Sequence, residues 1–435
     1  MKRQTLFATA LVFFCLSAAL YSTQARSTTE TNALDASQET SSPPADLSEK
    51  IRLLNSANPV ERATAACQIG AMGKRAAPAI PNLIQMLGDD AQISGEIYCD
   101  DQNGRGRHFG GGDAPTTPGR IAAGALAAIG AQSVDPLIAV VRHPNPIVRA
   151  NAVFALGVIR DPRTVEPVIG AGRDSDVRVR ENAAWGMGLK QDKNVVEPLL
   201  ALLTDSETKV REKAAWSLGL QGDSRAVEPL TNSLRDENPK VREQSAWSLG
   251  LKGNSKAVEP LVNSLNDSEP RVREKAAWSL GLKGDQRSVE PLMNALRDQD
   301  AQVRSQAAWA LGLKGDHRAV GALNTAMKDA SNNVRKNAAW ALGMLLMRDG
   351  KAAEKAGDLD IDVKKIKEKD KDQDKDNEQG EESGDAKIPV EVNVSMPVPM
   401  PVPMPMPRID VLPRIDLAPG SDLPPKPTSK QKDKN

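Results

Sequence analysis

The chain has few of the groups that carry most protein chemistry. Its 435 residues include three histidines and three cysteines, and 57 Lys and Arg balance 57 Asp and Glu. A net charge of zero, with no basic cluster along one expected face, excludes the footprint of a nucleic-acid binder, whose affinity comes largely from phosphate contacts. His108, His143 and His317 fall in separate expected loops, with no nucleophile–base pair, phosphate-binding loop or zinc-type spacing beside them. Neither catalysis, a cofactor nor a metal centre is therefore expected. Long hydrophobic runs are also scarce, and only Thr5–Tyr21 approaches the length needed to cross a bilayer.

That run follows Lys2 and Arg3 and precedes Thr23 and Ala25, small residues at positions −3 and −1 of a processing site. Residues 1–25 read as a secretory signal peptide. The mature protein is expected outside the cytoplasm, in the periplasm or secreted, with no membrane span after cleavage. An uncleaved anchor is the alternative reading of the same residues. Cys15 leaves with the signal. An oxidising compartment then permits Cys67 and Cys99 to pair, or leaves two thiols, one of them in a helix.

Residues 26–45 are rich in Ser, Thr and Pro, and residues 350–435 lose all helical periodicity. Both are expected to be disordered, since they lack the apolar residues that offset chain entropy. The C-terminal stretch alternates acid and base over Lys364–Asp376, then reads SMPVPMPVPMPMP over Ser395–Pro407 and RIDVLPRIDLAP beyond it. Alternating proline favours extended polyproline II. Met396, Met400, Met404 and Met406 offer thioethers that suit Cu(I). Proline between them holds the chain extended and no histidine or cysteine joins them, so a solvated spacer is the better reading.

Aromatic residues are the most telling scarcity. After Ala25 nine remain, and seven share one slot: Phe154, Trp185, Trp216, Trp247, Trp278, Trp309 and Trp340, spaced by 31 residues. A fixed period in this range marks a solenoid, in which each unit buries its apolar face only against its neighbours. Residues 205–235 illustrate one unit. Asp205 is a natural N-cap, Val210–Leu220 a helix of good formers, and Gly222 and Asp223 end it. Ala226–Leu234 forms a second, shorter helix that tolerates Pro229 in its first turn. A glycine-rich insertion at 88–119 interrupts the period, and a loop this long is usually functional or disordered. Its CDDQNG stretch resembles the start of a calcium loop, but Cys99 stands at the first ligand position and the distal Glu is missing.

The pattern D-x5-R-x2-AAW-x-LG-x2-GD-x-RAVEPL resembles the short HEAT-like repeats of bacteria, a group first named from phycobilin lyases. Arg180, Arg211, Arg242, Arg273 and Arg304 match, as do Gly188, Gly219, Gly250, Gly281 and Gly312, and in the second helix Glu166, Glu197, Glu228, Glu259 and Glu290. The resemblance is close over 144–347 and looser over 46–143. In the looser part Cys67 and Ala127 take the aromatic slot, Asp135 stands for Glu, and His143 replaces the usual Asp. At the far end Gly321 replaces the glutamate. The resemblance implies an all-α fold, a right-handed α-α superhelical solenoid of about nine units over 46–349, with the longer helices lining its concave surface. Some relatives attach bilin chromophores to partner proteins, a reading that the secretory signal opposes.

On a helical wheel at about 100° per residue, Val210, Ala214, Ala215 and Leu218 form the core stripe. Trp216 and Leu220 fall roughly opposite, flanked by Glu212 and Lys213. Two readings follow. In one, Phe154 and the six tryptophans, with Leu220, Leu251 and Leu282, line a groove for a protein or peptide, the Pro/Met-rich tail among its candidate occupants. In the other, each ring packs on the next repeat and closes the surface. A glycan is the alternative ligand, because rings stack on sugar faces. The pairs Asp205 with Arg211, Asp236 with Arg242 and Asp267 with Arg273 read as a structural ladder, Asp capping the helix and Arg reaching loop carbonyls or the adjacent Asp, with an anion-binding row as the alternative. The function expected is that of an extracytoplasmic scaffold.

Overall fold

The computed structural model describes residues 45–93, 97–100, 106–109 and 116–348, all within one unit of the chain, Pro44–Asn435. The signal peptide, nearly all of the 26–45 linker and the 350–435 tail lie outside these residues. The one linker residue inside them, Ala45, already belongs to a helix.

Eighteen helices alternate long and short among the described residues. The long ones are α2 (Pro59–Ala71), α4 (Pro118–Ile129), α6 (Pro146–Val158), α8 (Val177–Gly188), α10 (Thr208–Gln221), α12 (Pro239–Lys252), α14 (Pro270–Lys283), α16 (Ala301–Lys314) and α18 (Asn332–Arg348). The short ones are α1 (Ala45–Leu53), α3 (Ile80–Met86), α5 (Val134–Val140), α7 (Val165–Ala171), α9 (Val196–Leu202), α11 (Val227–Ser233), α13 (Val258–Ser264), α15 (Val289–Ala295) and α17 (Val320–Ala326). Each short helix packs on the long helix that follows it, and consecutive long helices pack on each other. The product is an all-α solenoid of two layers. No helix among the described residues is long and apolar enough to cross a membrane.

Local chemistry explains the punctuation. Asn58, Thr117, Asn145, Asp176, Asn238 and Asp300 cap long helices by accepting a backbone N–H, and proline opens five of them where its missing N–H costs nothing. Gly222 and Gly315 close α10 and α16 at φ 68° and 64°, the left-handed region that glycine enters freely. Asp205 is not the N-cap of α10. That position falls to Glu207, whose backbone N–H the Asp205 carboxylate accepts at 2.9 Å. A three-residue 3₁₀ turn introduces each short helix from α5 onward, opened in most units by an Asp or Asn that accepts the N–H two residues on.

The insertion departs from an all-helical reading. Strands β1 (Ile97–Asp100) and β2 (Gly106–Phe109) pair antiparallel, with Ile97 opposite Phe109 and Tyr98 opposite His108, and β1 packs on α2. Part of the calcium-like stretch, Cys99–Asp100, is therefore strand, and its remainder lies outside the described residues. Cys67, on α2, is disulfide-bonded. Cys99 stands on β1, the strand laid against that helix.

Candidate open-face site

The long helices approach closely because a glycine of each faces a small residue of the next. A Cβ on Gly157 would lie 2.9 Å from the Gly186 Cα, on Gly219 2.9 Å from the Ser248 Cα, and on Gly312 2.8 Å from the Ala341 Cα. The serines use the same crossing: Ser217, Ser248 and Ser279 donate to Ala184, Ala215 and Ala246 of the preceding long helix at 2.7, 2.7 and 2.6 Å. In every such pair the small residue directly follows the aromatic slot. Gly70 meets Ala125 in the same way, which places Gly124, not Ala127, in the slot of α4. Counting by period failed there because the insertion breaks it.

The rings rest on these glycines. The tips of Trp278, Trp309 and Trp340 lie 2.7, 3.0 and 2.7 Å from where a Cβ would stand on Gly250, Gly281 and Gly312. Phe154 and Trp185 stack at 5.2 Å with planes 16° apart, and the Arg120 guanidinium covers the Phe154 ring at 3.2 Å. Burial pulls Arg120 down to about 10 despite the nearby Glu181 carboxylate. The wheel had put Trp216 on a solvent side. Instead Trp185, Trp216 and Trp247 are only 9, 6 and 6% exposed, Phe154 is buried, and Trp278, Trp309 and Trp340 are half-buried against the core. A wheel describes one helix, whereas here the preceding helix comes near enough to cover the ring.

What remains open on this side is a leucine row. Leu189 and Leu282 are exposed, and Leu220, Leu251 and Leu313 half-buried. One turn N-terminal to the rings runs a carboxylate column, Glu181, Glu212, Glu243 and Glu274, one per unit. Lys213 and Lys275 approach Glu212 and Glu274 only to 3.6 and 3.8 Å, beyond hydrogen-bond range. Burial pushes Glu243 and Glu274 above the usual carboxylate range. Lys275 and Arg271 oppose the shift without cancelling it. Beside this column the buried Gln244 Oε1 and Trp216 Nε1 have no partner among the described residues. Such orphans are rare in folded proteins.

In the Arg–Asp ladder each arginine makes both contacts open to it from the sequence, neighbouring loop carbonyls and the carboxylate of the adjacent unit. Arg211 donates through Nη1 to the main-chain carbonyls of Asp205 and Ser206 at 2.9 and 3.1 Å, within its own unit. Its other two nitrogens grip the Asp236 carboxylate of the next unit at 2.8 and 3.0 Å. Asp205 is held in turn by Arg180, Asp267 by Arg242 and Asp298 by Arg273. Burial pushes Asp174, Asp205, Asp267 and Asp298 up, but the guanidinium and a backbone N–H more than offset it, and all four titrate below the usual range. The exception explains itself. In α4 the arginine position is Gly119, which donates its N–H to the Asp89 carbonyl, and the aspartate that would have paired one unit on is His143.

One position missed by sequence reasoning caps helices across units. Lys190 Nζ donates to the Leu156 and Ile159 carbonyls and to Thr164 Oγ1 at 2.6–2.7 Å, and burial pulls it down to about 8. Its successors Gln221 and Lys314 likewise reach carbonyls at the C-terminal end of the preceding long helix. His143 Nδ1 accepts the Asn145 N–H at 3.1 Å, a turn role. Among the described residues no cluster of His, Cys, Asp and Glu could hold a metal ion.

The sequence profile of HEAT repeats matches residues 119–178, 167–238, 227–300 and 289–359. No curated protein matches. Similar solved structures include Escherichia coli YibA, 24% identical over 54% of this chain and 88% of that one, TM-score 0.45. Another is the CpcE–CpcF complex of phycocyanin lyase from Nostoc sp. PCC7120, 23% identical over 54% and 90%, TM-score 0.35. Human deoxyhypusine hydroxylase is 19% identical over 62% and 97%, TM-score 0.27.

Proposed function

The chain belongs to the HEAT-repeat family, and we propose that it is an extracytoplasmic scaffold binding a protein or peptide on the open face of its long-helix layer. One contrast carries this reading. The ladder and the cross-unit caps satisfy their polar groups, while the open face keeps an apolar row and a carboxylate column whose charges have no hydrogen-bonded cation. Exposed apolar rows rimmed by charge mark interaction surfaces. The resemblance noted in the sequence supports taking this face as the concave one. The secretory reading of residues 1–25 supports an extracytoplasmic location, and a Cys67–Cys99 disulfide, which we assign on the strand-to-helix placement, suits that compartment. No catalytic step or nucleic-acid contact forms part of the proposal.

A glycan is disfavoured as ligand, because sugars stack on ring faces and most of these rings are covered. The test is cross-linking of the mature protein in its own envelope fraction, comparing the wild type with Leu189→Lys, Leu220→Lys, Leu251→Lys and Leu282→Lys combined. A cross-linked protein that disappears with the open-face lysines, but persists when lysines are added at Thr231 and Asn263 of the short-helix layer, supports the reading. Equal loss from both faces, or retention on immobilised glycan alone, defeats it.

A further inference from the structure

Over α10–α14 the open face carries an acid–base neighbour pair on every second long helix. Glu212 is followed by Lys213 and Glu274 by Lys275, whereas between them Glu243 is followed by Gln244, whose buried carbonyl oxygen has no partner. An extended occupant that satisfied this face would present a cation and an anion together, then repeat the cation two helices on. Long helices packed this closely are about 8–10 Å apart, so two steps span about 16–20 Å. A chain in polyproline II rises about 3.1 Å per residue, and six residues cover about 19 Å.

The C-terminal sequence carries such a period. Arg408-Ile409-Asp410-Val411-Leu412-Pro413 is followed at once by Arg414-Ile415-Asp416-Leu417-Ala418-Pro419. Arginine, aspartate and proline each recur after six residues, with apolar residues between. The 59 residues separating Arg348 from Arg408 could span at most about 190 Å, so chain length sets no limit on the reach. The path from α18 back to α10 is four helix steps, about 32–40 Å.

We propose that Arg408–Pro419 docks extended on the open face of its own chain, with Arg408 and Arg414 on the Glu212 and Glu274 carboxylates and Asp410 beside Lys213, while Lys275 is buried and takes no part. The isoleucines then lie toward the ring and leucine rows. This rests on the open-face reading above and names an intramolecular competitor for the same surface, so a partner would have to displace the tail. Burial of the glutamates strengthens each arginine pairing, because a carboxylate held from water gains more from a bidentate guanidinium.

Trypsin cleavage of the intact protein, followed by mass spectrometry, tests it with internal controls. The bonds after Arg408 and Arg414 are compared with those after Lys387 and Lys430 of the same tail. Docking slows the arginine cuts about tenfold or more relative to the lysine cuts, as tethering at high effective concentration would. In Glu212→Gln, Glu243→Gln, Glu274→Gln combined, which keeps side-chain shape, the two rates become equal. Equal rates in the unaltered chain overturn the proposal, and protection that fades on dilution overturns it in favour of a second copy's tail. If the tail is unprotected while the lysine-row variant still loses its envelope partner, the docking inference falls and the open-face reading stands.

Discussion

Two acid columns run along this solenoid, and Asp174, Asp205, Asp267 and Asp298 of one are shifted opposite to Glu243 and Glu274 of the other. Asp174, Asp205, Asp267 and Asp298 are nearly buried yet held below the usual range, because an arginine of the preceding unit meets each one through two nitrogens. Glu243 and Glu274 are pushed above it, because burial acts on them without a hydrogen-bonded cation. Both columns repeat along the stack, so repetition alone does not separate framework from binding surface. Compensation of charge does.

The largest effect should come from breaking the satisfied column. Arg211→Met leaves Asp236 and two carbonyls without their donor, and should lower the unfolding free energy by about 3–5 kcal/mol in a urea titration. An unchanged midpoint would deny the ladder its structural role. Next comes Gly250→Ala, whose methyl would stand 2.7 Å from the Trp278 ring and 2.8 Å from the Ser279 Cβ, a loss of about 1–3 kcal/mol. Gly170→Ala, at a helical site with open space, should lose nothing and gain up to about 1 kcal/mol. If both glycines respond alike, close approach is not what Gly250 provides. Ser248→Ala, which removes a buried donor to Ala215, should cost about 1 kcal/mol by the same titration.

The smallest effect separates the columns by pH. Folded-state values of the aspartates lie below the unfolded value of about 3.9, so their contribution is present above it and is lost as pH falls through the folded values. Those of Glu243 and Glu274 lie above the unfolded value of about 4.3, so their contribution is present below it and is lost as pH rises through the folded values. Thermal stability should therefore peak in mild acid, fall steeply below about pH 4 and decline gently toward neutrality. Glutamine at 243 and 274 should flatten only the gentle limb. A steep limb altered by those substitutions would mean that the columns are coupled.

Much of the framework was legible in the residues. The period, the long and short helices and the left-handed Gly222 follow from local preferences that survive in any context. The partner of each ladder arginine was less so, although one signal was present: Gly119 and His143 lose arginine and aspartate together. That pairing is hidden when Ala127 takes the aromatic slot of α4, and only the approach of Gly70 to Ala125 resets it. The hairpin at 97–109 was missed because its strands are four residues each, too short for an alternating pattern to show.

By itself the sequence determined that identical units would stack, since a helix with one apolar stripe and a 31-residue repeat has no other way to bury that stripe. It did not determine which residues the stack would cover. The glycine-to-small crossing brings neighbouring helices close enough to cover Trp185, Trp216 and Trp247 and half-cover the other three, while Leu189 and Leu282 stay exposed. That outcome depends on the distance between two helices, and one helix does not contain it.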